Sequence, residues 1–170
     1  DDLGNCAEEG WFLTRVVDEG LREQLEHVKE TPCVHCSHKE GVDILLKSGK
    51  TLDCPVSWGI SLQSEHERFL TEEHFKCPVI VYNYPKEIKP FYMRLNEDGK
   101  TVTAMDVLVP GIGEIVGGSQ REERLDILEE NMRSMGMNAE AYRWYADLRR
   151  YGTVPHAGFG AGFDRLLMFV

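Results

Sequence analysis

Apolar positions along this chain follow two periods, and the switches between them mark its elements. Leu13, Val16, Val17, Leu21, Leu25 and Val28 share one face of an amphipathic helix. Residues 33–36 read as a short strand. Ser37 and Glu40 then form a capping box that opens a helix through Val42, Leu45 and Leu46 to Gly49. Ser64 and Glu67 repeat that spacing ahead of a helix reaching Phe75. From residue 78 the pattern turns to β: 78–84 is a buried-strand run, 91–95 a second strand, 101–109 a third, and Glu114 begins a fourth. Turns at 96–100 and 110–113 join them. Helical spacing returns in Leu125, Leu128, Met132 and Met135, stopped by Gly136. A second helix is capped by Asn138, carries Ala141, Trp144, Leu148 and Tyr151 as its stripe, and ends at Gly152. The whole predicts an α+β domain, an antiparallel β-sheet flanked by helices.

The last stretch departs from ordinary patterning. Gly158, Gly160 and Gly162 alternate with Phe159, Ala161 and Phe163, so one strand face is bare backbone and the other is packing. Three glycines weaken a strand unless something approaches its main chain closely, and a flat ligand suits such a face. Asp164-Arg165-Leu166-Leu167-Met168 favours a helix. Arg165 thereby stands in a first helical turn, where an obligate cation beside free N–H groups suits phosphate.

The hairpin carries the next candidate chemistry. With Pro110 near the apex of a three-residue connection, Asp106 falls opposite Glu114 on the same face. Two such carboxylates repel; a divalent cation bridging them to a polyphosphate relieves this, and hard oxygen ligands fit Mg²⁺. The alternative is a solvent-facing acidic hairpin. Gly117-Gly118 signals a bulge, which would bring Arg121 onto the face of Glu114. A guanidinium there suits a small amide or carboxylate, against the alternative of a surface pair with acidic neighbours. Cys33-Val34-His35-Cys36-Ser37-His38 lacks a second pair of zinc ligands, and His66-Glu67 lacks the second His of a metalloprotease helix because Leu70 stands there.

Composition narrows the class. With 170 residues, 42% hydrophobic and 28% charged, the chain suffices for one globular domain. A net charge of −10 argues against a broad phosphate-binding surface on this stretch. No apolar run spans a membrane, and the start has no signal-peptide pattern. The chain begins without Met and stops at Val170 inside a helix pattern, so the expectation is a fragment of a longer protein. The five cysteines, Cys6, Cys33, Cys36, Cys54 and Cys77, form an odd set, read as thiols of a reducing compartment.

Arg149-Arg150-Tyr151-Gly152-Thr153-Val154-Pro155-His156-Ala157-Gly158-Phe159-Gly160-Ala161-Gly162-Phe163-Asp164-Arg165-Leu166 resembles the third signature motif of class II aminoacyl-tRNA synthetases, in the form of the asparaginyl enzymes. Two further blocks agree, residues 84–94 and 113–124. The resemblance implies the C-terminal part of that catalytic domain, with 58–170 as the sheet core holding the ATP and amino-acid sites and 1–57 as a mostly helical peripheral segment. By resemblance Glu114, with Asp106, holds the Mg²⁺ of ATP. Arg165 takes the γ-phosphate, Gly160 and Gly162 the adenosine, and Asp164 stands in for the usual Glu of the ATP site. Arg121 and Gly117 belong to the amino-acid site. The implied partners are asparagine and tRNA(Asn), with a homodimer in the cytoplasm, or alternatively in a mitochondrial or plastid matrix. Aspartyl-tRNA synthetase, a tRNA-independent asparagine synthetase and a non-catalytic synthetase-like module remain as alternatives. The first and second class II motifs and an anticodon-binding barrel have no counterpart in the chain.

Overall fold

Ser37 closes one element and opens the next. Its hydroxyl accepts from the Glu40 amide at 3.2 Å, and the Glu40 carboxylate accepts from the Ser37 amide at 2.8 Å. That box joins β1 (Val34–Ser37) to α1 (His38–Lys47), as the spacing predicts. The structure is a computed structural model and describes residues 33–169. The helix expected over 13–28, most of the segment 1–57, and Cys6 lie outside the described residues.

The second expected box forms with different partners. Gln63, not Ser64, caps α2 (Ser64–Arg68), and its amide donates to His66 Nδ1 at 3.0 Å. Glu67 is thereby released from capping. A π-helical turn, Phe69–His74, prolongs the helix.

Five strands form one sheet in the order of the chain: β1, β2 (Val79–Pro85), β3 (Thr101–Val109), β4 (Gly113–Gln120) and β5 (Ala157–Ala161). It is mixed, because β1 pairs with β2 in parallel while the remaining pairs are antiparallel. The parallel pair follows from a crossover through α1 and α2, which returns the chain to the same sheet end. β1 thus lies within the sheet, and α1 packs against β2. The strand expected over 91–95 does not form. Only Met93 and Leu95 make isolated bridges, to Arg121 and Val102, because this segment takes the place of β4 beside β3 beyond Ser119.

Val79, Val81, Val102, Ala104 and Leu108 of β2 and β3 bury with Cys36 and Tyr84 in the main core. Register shifts between Tyr82 and Tyr84, where Asn83 has φ +54°. The second cluster joins α3 (Leu125–Ser134) to α4 (Arg143–Arg150) through Leu128, Met132 and Ala146. Here the predicted stripe is corrected. Trp144, Leu148 and Tyr151 are exposed, as is Met135, and α4 buries Ala146 and Arg149. Arg149 wins that face because its charge is satisfied: Nε donates to the Glu122 carbonyl at 2.9 Å and the guanidinium lies 4.2 Å from the Tyr145 ring centre. Asn138 does not cap α4 either; its Oδ1 accepts from the Glu140 amide in a turn ahead of it. β5 then leads into α5 (Phe163–Phe169).

Candidate functional site

Register decides which side chains meet. Val109 pairs with Gly113, so the hairpin connection is Pro110-Gly111-Ile112, centred on Gly111. Leu108 then faces Glu114, and Asp106 faces Gly117, not Glu114 as the sequence suggests. The shift comes from a bulge: Val107 pairs with Val116 while Leu108 pairs with Glu114, leaving Ile115 over. One inserted residue flips side-chain parity, so Glu114 shares a face with Gly117, Ser119 and Arg121. The two carboxylates converge after all. A Cβ on Gly117 would lie 2.6 Å from Glu114 Oε1 and 3.2 Å from Asp106 Oδ1. The bulge expected at Gly117-Gly118 therefore exists two residues earlier, with the same consequence for Arg121.

Three residues to which the sequence assigned no role in the site complete this end of it. Lys89 Nζ donates to Asp106 Oδ2 at 2.7 Å and lies 3.8 Å from the centre of the Tyr84 ring. Burial first, then the Asp106 carboxylate, raises the Tyr84 hydroxyl far above the usual phenol range. Glu67 comes from α2, with Oε2 3.1 Å from where a Gly113 Cβ would stand. The neighbouring Glu72 accepts from the Gly111 amide at 2.9 Å and ties the π-helical turn to the hairpin tip. Burial, then Glu114 and Asp106, raise the Glu67 carboxyl above its ordinary value, while Arg165 and Lys89 oppose the rise. The signals for Glu67 in the sequence were a capping spacing and an incomplete metalloprotease pattern, and neither pointed to this role.

Arg121 governs the other end. Its Nη1 donates to Ser119 Oγ at 2.6 Å, and its guanidinium carbon lies 4.8 Å from the Tyr92 ring centre. A Cβ on Gly158 would stand 2.8 Å from Arg121 Nη2, so the guanidinium rests on bare backbone there. Behind it, Glu122 is wholly buried; its carboxylate accepts from Arg124 Nε at 2.7 Å, Arg124 Nη2 at 2.8 Å and the Leu95 amide at 2.9 Å. Burial works to raise the Glu122 carboxyl, but the Arg124 and Leu95 bonds outweigh it and hold the group below its ordinary value. This knot fixes the chain immediately after Arg121.

β5 pairs Gly158 with Ser119 and Gly160 with Gly117, placing both glycines on the face of the carboxylates. Above Gly160 a Cβ would meet nothing within 4 Å, so the backbone there is open to a ligand. The Gly162 amide donates to the Ile115 carbonyl at 3.0 Å. Arg165 reaches back from α5, and Nη1 donates to the Glu114 carbonyl. Asp164 stands exposed in the first turn of that helix. The opposite face of β5 is not the packed one that its sequence suggests, since Phe159 is 74% exposed.

Among the described residues no three His, Cys, Asp or Glu side chains converge to hold a metal unaided. His38 is buried against Tyr84 and Trp58, with Nε2 2.9 Å from the Ile60 carbonyl, and Cys36 is a free thiol in the core. Among the described residues no cluster of metal-ligating side chains forms at 33–38. The cradle above Gly117 offers two carboxylate oxygens, which fits a Mg²⁺ ion whose remaining ligands are phosphate oxygens and water.

The family model for tRNA synthetases class II (D, K and N) matches residues 7–170. The asparagine–tRNA ligase of Nitratidesulfovibrio vulgaris strain DP4 is 61% identical over 168 residues, which is 99% of this chain and 36% of that protein. The chain thus spans about a third of the length of the curated relatives it matches. The crystal structure of asparaginyl-tRNA synthetase from Pyrococcus horikoshii complexed with asparaginyl-adenylate aligns at TM-score 0.74 and 46% identity, over 83% of this chain and 32% of that one. An aspartyl-tRNA synthetase from Entamoeba histolytica aligns at 0.71 and 27% identity, over 81% of this chain and 28% of that one.

Proposed function

The chain belongs to the class II tRNA synthetases of the D, K and N type, and from that premise we propose that the whole protein is an asparagine–tRNA ligase using ATP. The observation that carries this reading is a single sheet face with a carboxylate cradle at Gly117, open backbone at Gly160 and the Arg121 guanidinium over Gly158. Anchored charges at the two ends of one strip suit a polyphosphate and a small polar amino acid.

The reaction has two steps. The carboxylate of asparagine attacks the α-phosphorus of ATP, pyrophosphate departs, and the asparaginyl adenylate passes its acyl group to tRNA(Asn). Arg121 receives the side-chain amide through its oxygen over Gly158, and Gly117, toward the carboxylates, leaves room for the other end of the amino acid. Gly160 and Gly162 let the adenosine lie against main chain. Arg165 takes the γ-phosphate, with Asp164 beside it in the same helical turn. Glu114 and Asp106 would hold Mg²⁺, whose charge offsets that of the leaving pyrophosphate. No protein nucleophile is required; alignment and fixed charge supply the acceleration. A homodimer in the cytoplasm completes the proposal. Among the described residues, no helix is long and apolar enough to cross a membrane.

Amino-acid-dependent ATP–pyrophosphate exchange by the full-length protein tests this. Exchange with asparagine, lost about 100-fold or more in Arg165→Ala with the fold retained, is the expected result. Exchange with aspartate alone moves the protein to the aspartyl enzymes. Exchange with aspartate but no transfer to tRNA points to an asparagine synthetase, whose substrate is aspartate. No exchange with either amino acid overturns the ligase reading in favour of a non-catalytic module.

A further inference from the structure

Lys89 lies within the block 84–94, where the sequence attaches no role to it. A short 3-10 turn, Lys86–Ile88, follows β2 and delivers it to the sheet face. Lysine normally keeps its ammonium in water, yet the Lys89 side chain is only 17% exposed and that of its partner Asp106 14%. The ammonium sits over the Tyr84 ring and binds Oδ2 of Asp106, while Oδ1 of the same carboxylate turns toward the Gly117 cradle with Glu114 Oε1. One oxygen is thus tied down and the other is aimed.

We propose that Lys89 is a positioning residue for the metal–nucleotide: by engaging Oδ2 it points Asp106 Oδ1 into the cradle, and its charge offsets the clustered carboxylates until a divalent cation arrives. This rests on the ligase reading above. Glu67, Asp106 and Glu114 crowd one pocket, and a fixed monovalent counter-ion lets them share it without closing it to a divalent one. The same ammonium repels an incoming cation, and within a poorly solvated pocket that repulsion is strong. Removing the charge therefore lifts a repulsion that outweighs the loss of one aimed oxygen, so the cation is held more tightly, while Asp106 Oδ1 is no longer aligned and the ion is held out of place for the reaction.

Lys89→Met keeps the stem over Tyr84 and removes the charge. The test uses full-length protein with the Mn²⁺ complex of a non-hydrolysable ATP analogue, with bound Mn²⁺ read by electron paramagnetic resonance. The variant is expected to bind Mn²⁺ about fivefold or more tightly. Its asparagine-dependent pyrophosphate exchange is expected to fall about tenfold or more, with KM for asparagine within about twofold. Lys89→Arg restores both quantities toward those of the unaltered protein. General structural damage would weaken binding and rate together, so the opposed changes separate positioning from stability. Should Lys89→Met fail to fold, Lys89→Gln tests the same charge. Unchanged or weaker Mn²⁺ binding in the neutral variant overturns this role alone. Failure of the unaltered protein to bind the Mn²⁺-nucleotide overturns the ligase reading and this role with it.

Discussion

Neighbouring glycines on β4 answer different needs. A Cβ on Gly117 meets the far end of the Glu114 side chain at 2.6 Å, which can swing away, whereas one on Gly118 meets Phe159 Cβ at 3.0 Å and the Gly158 carbonyl oxygen at 3.2 Å, which cannot. Gly117→Ala is therefore expected to leave stability within about 1 kcal/mol while displacing Glu114 and reducing exchange. Gly118→Ala is expected to cost about 1–3 kcal/mol in chemical denaturation, because β4 and β5 must part. Gly158→Ala should act on Arg121, raising KM for asparagine with little loss of fold. Equal stability losses in the Gly117 and Gly118 variants would contradict this division. The Gly-Gly pair is plain in the sequence, but which glycine serves the ligand and which the sheet depends on what lies across each.

At the level of elements, the segment after β4 is held by the Glu122 knot, which links it to residue 95 and, through the Glu122 carbonyl, to Arg149 of α4. Replacing Glu122 with Ala strands the Leu95 amide and is expected to cost about 2–3 kcal/mol. Its pH dependence has a definite sign. The carboxyl is held below its ordinary value of 4.5 in the folded state, so its stabilisation is complete above that value and is lost as pH falls through the depressed folded one. Thermal melts from neutral pH down into that acid range should show a shallower fall in Glu122→Gln than in the unaltered chain; identical slopes would remove the knot from the account. Helix existence was legible from apolar spacing, whereas the buried face of α4 was not. Periodicity ranks Trp144 and Leu148 above Arg149, and only a facing carbonyl and ring reverse that order.

Across the whole molecule, one side of the sheet gathers charge. Glu67 from α2, Asp106 from β3 and Glu114 from β4 meet Lys89 and Arg165, and the balance leaves Glu67 raised above its ordinary value of 4.5. For a raised carboxyl the sign is opposite to that of Glu122. Its contribution is complete below the ordinary value and is lost as pH rises through the folded one, so ionised Glu67 opposes folding at neutral pH. Glu67→Gln is accordingly expected to raise the melting temperature by roughly 2–4 °C at pH 7 in metal-free buffer. A lower melting temperature would mean that its attraction to Arg165 and Lys89 dominates instead. The other side of β5 and the outer face of α4 carry exposed aromatic residues, including Phe159 and Trp144. Apolar period alone assigned them to a core.

Sequence alone determined the periods, the first capping box, the strands β1 to β4, and the glycine-bearing strip leading into α5, because each is a local consequence of side-chain spacing and backbone preference. It also supplied Asp106, Glu114, Arg121 and Arg165 as candidates. Only the tertiary structure decided how they meet. A bulge at Ile115 reset the hairpin register and still brought the carboxylates together over Gly117. The parallel pairing of β1 depended on a crossover, and Lys89 joined the site through Asp106, 17 residues further along the chain. Such contacts leave no periodic trace along the chain, because they arise from where elements pack and not from what precedes or follows each residue.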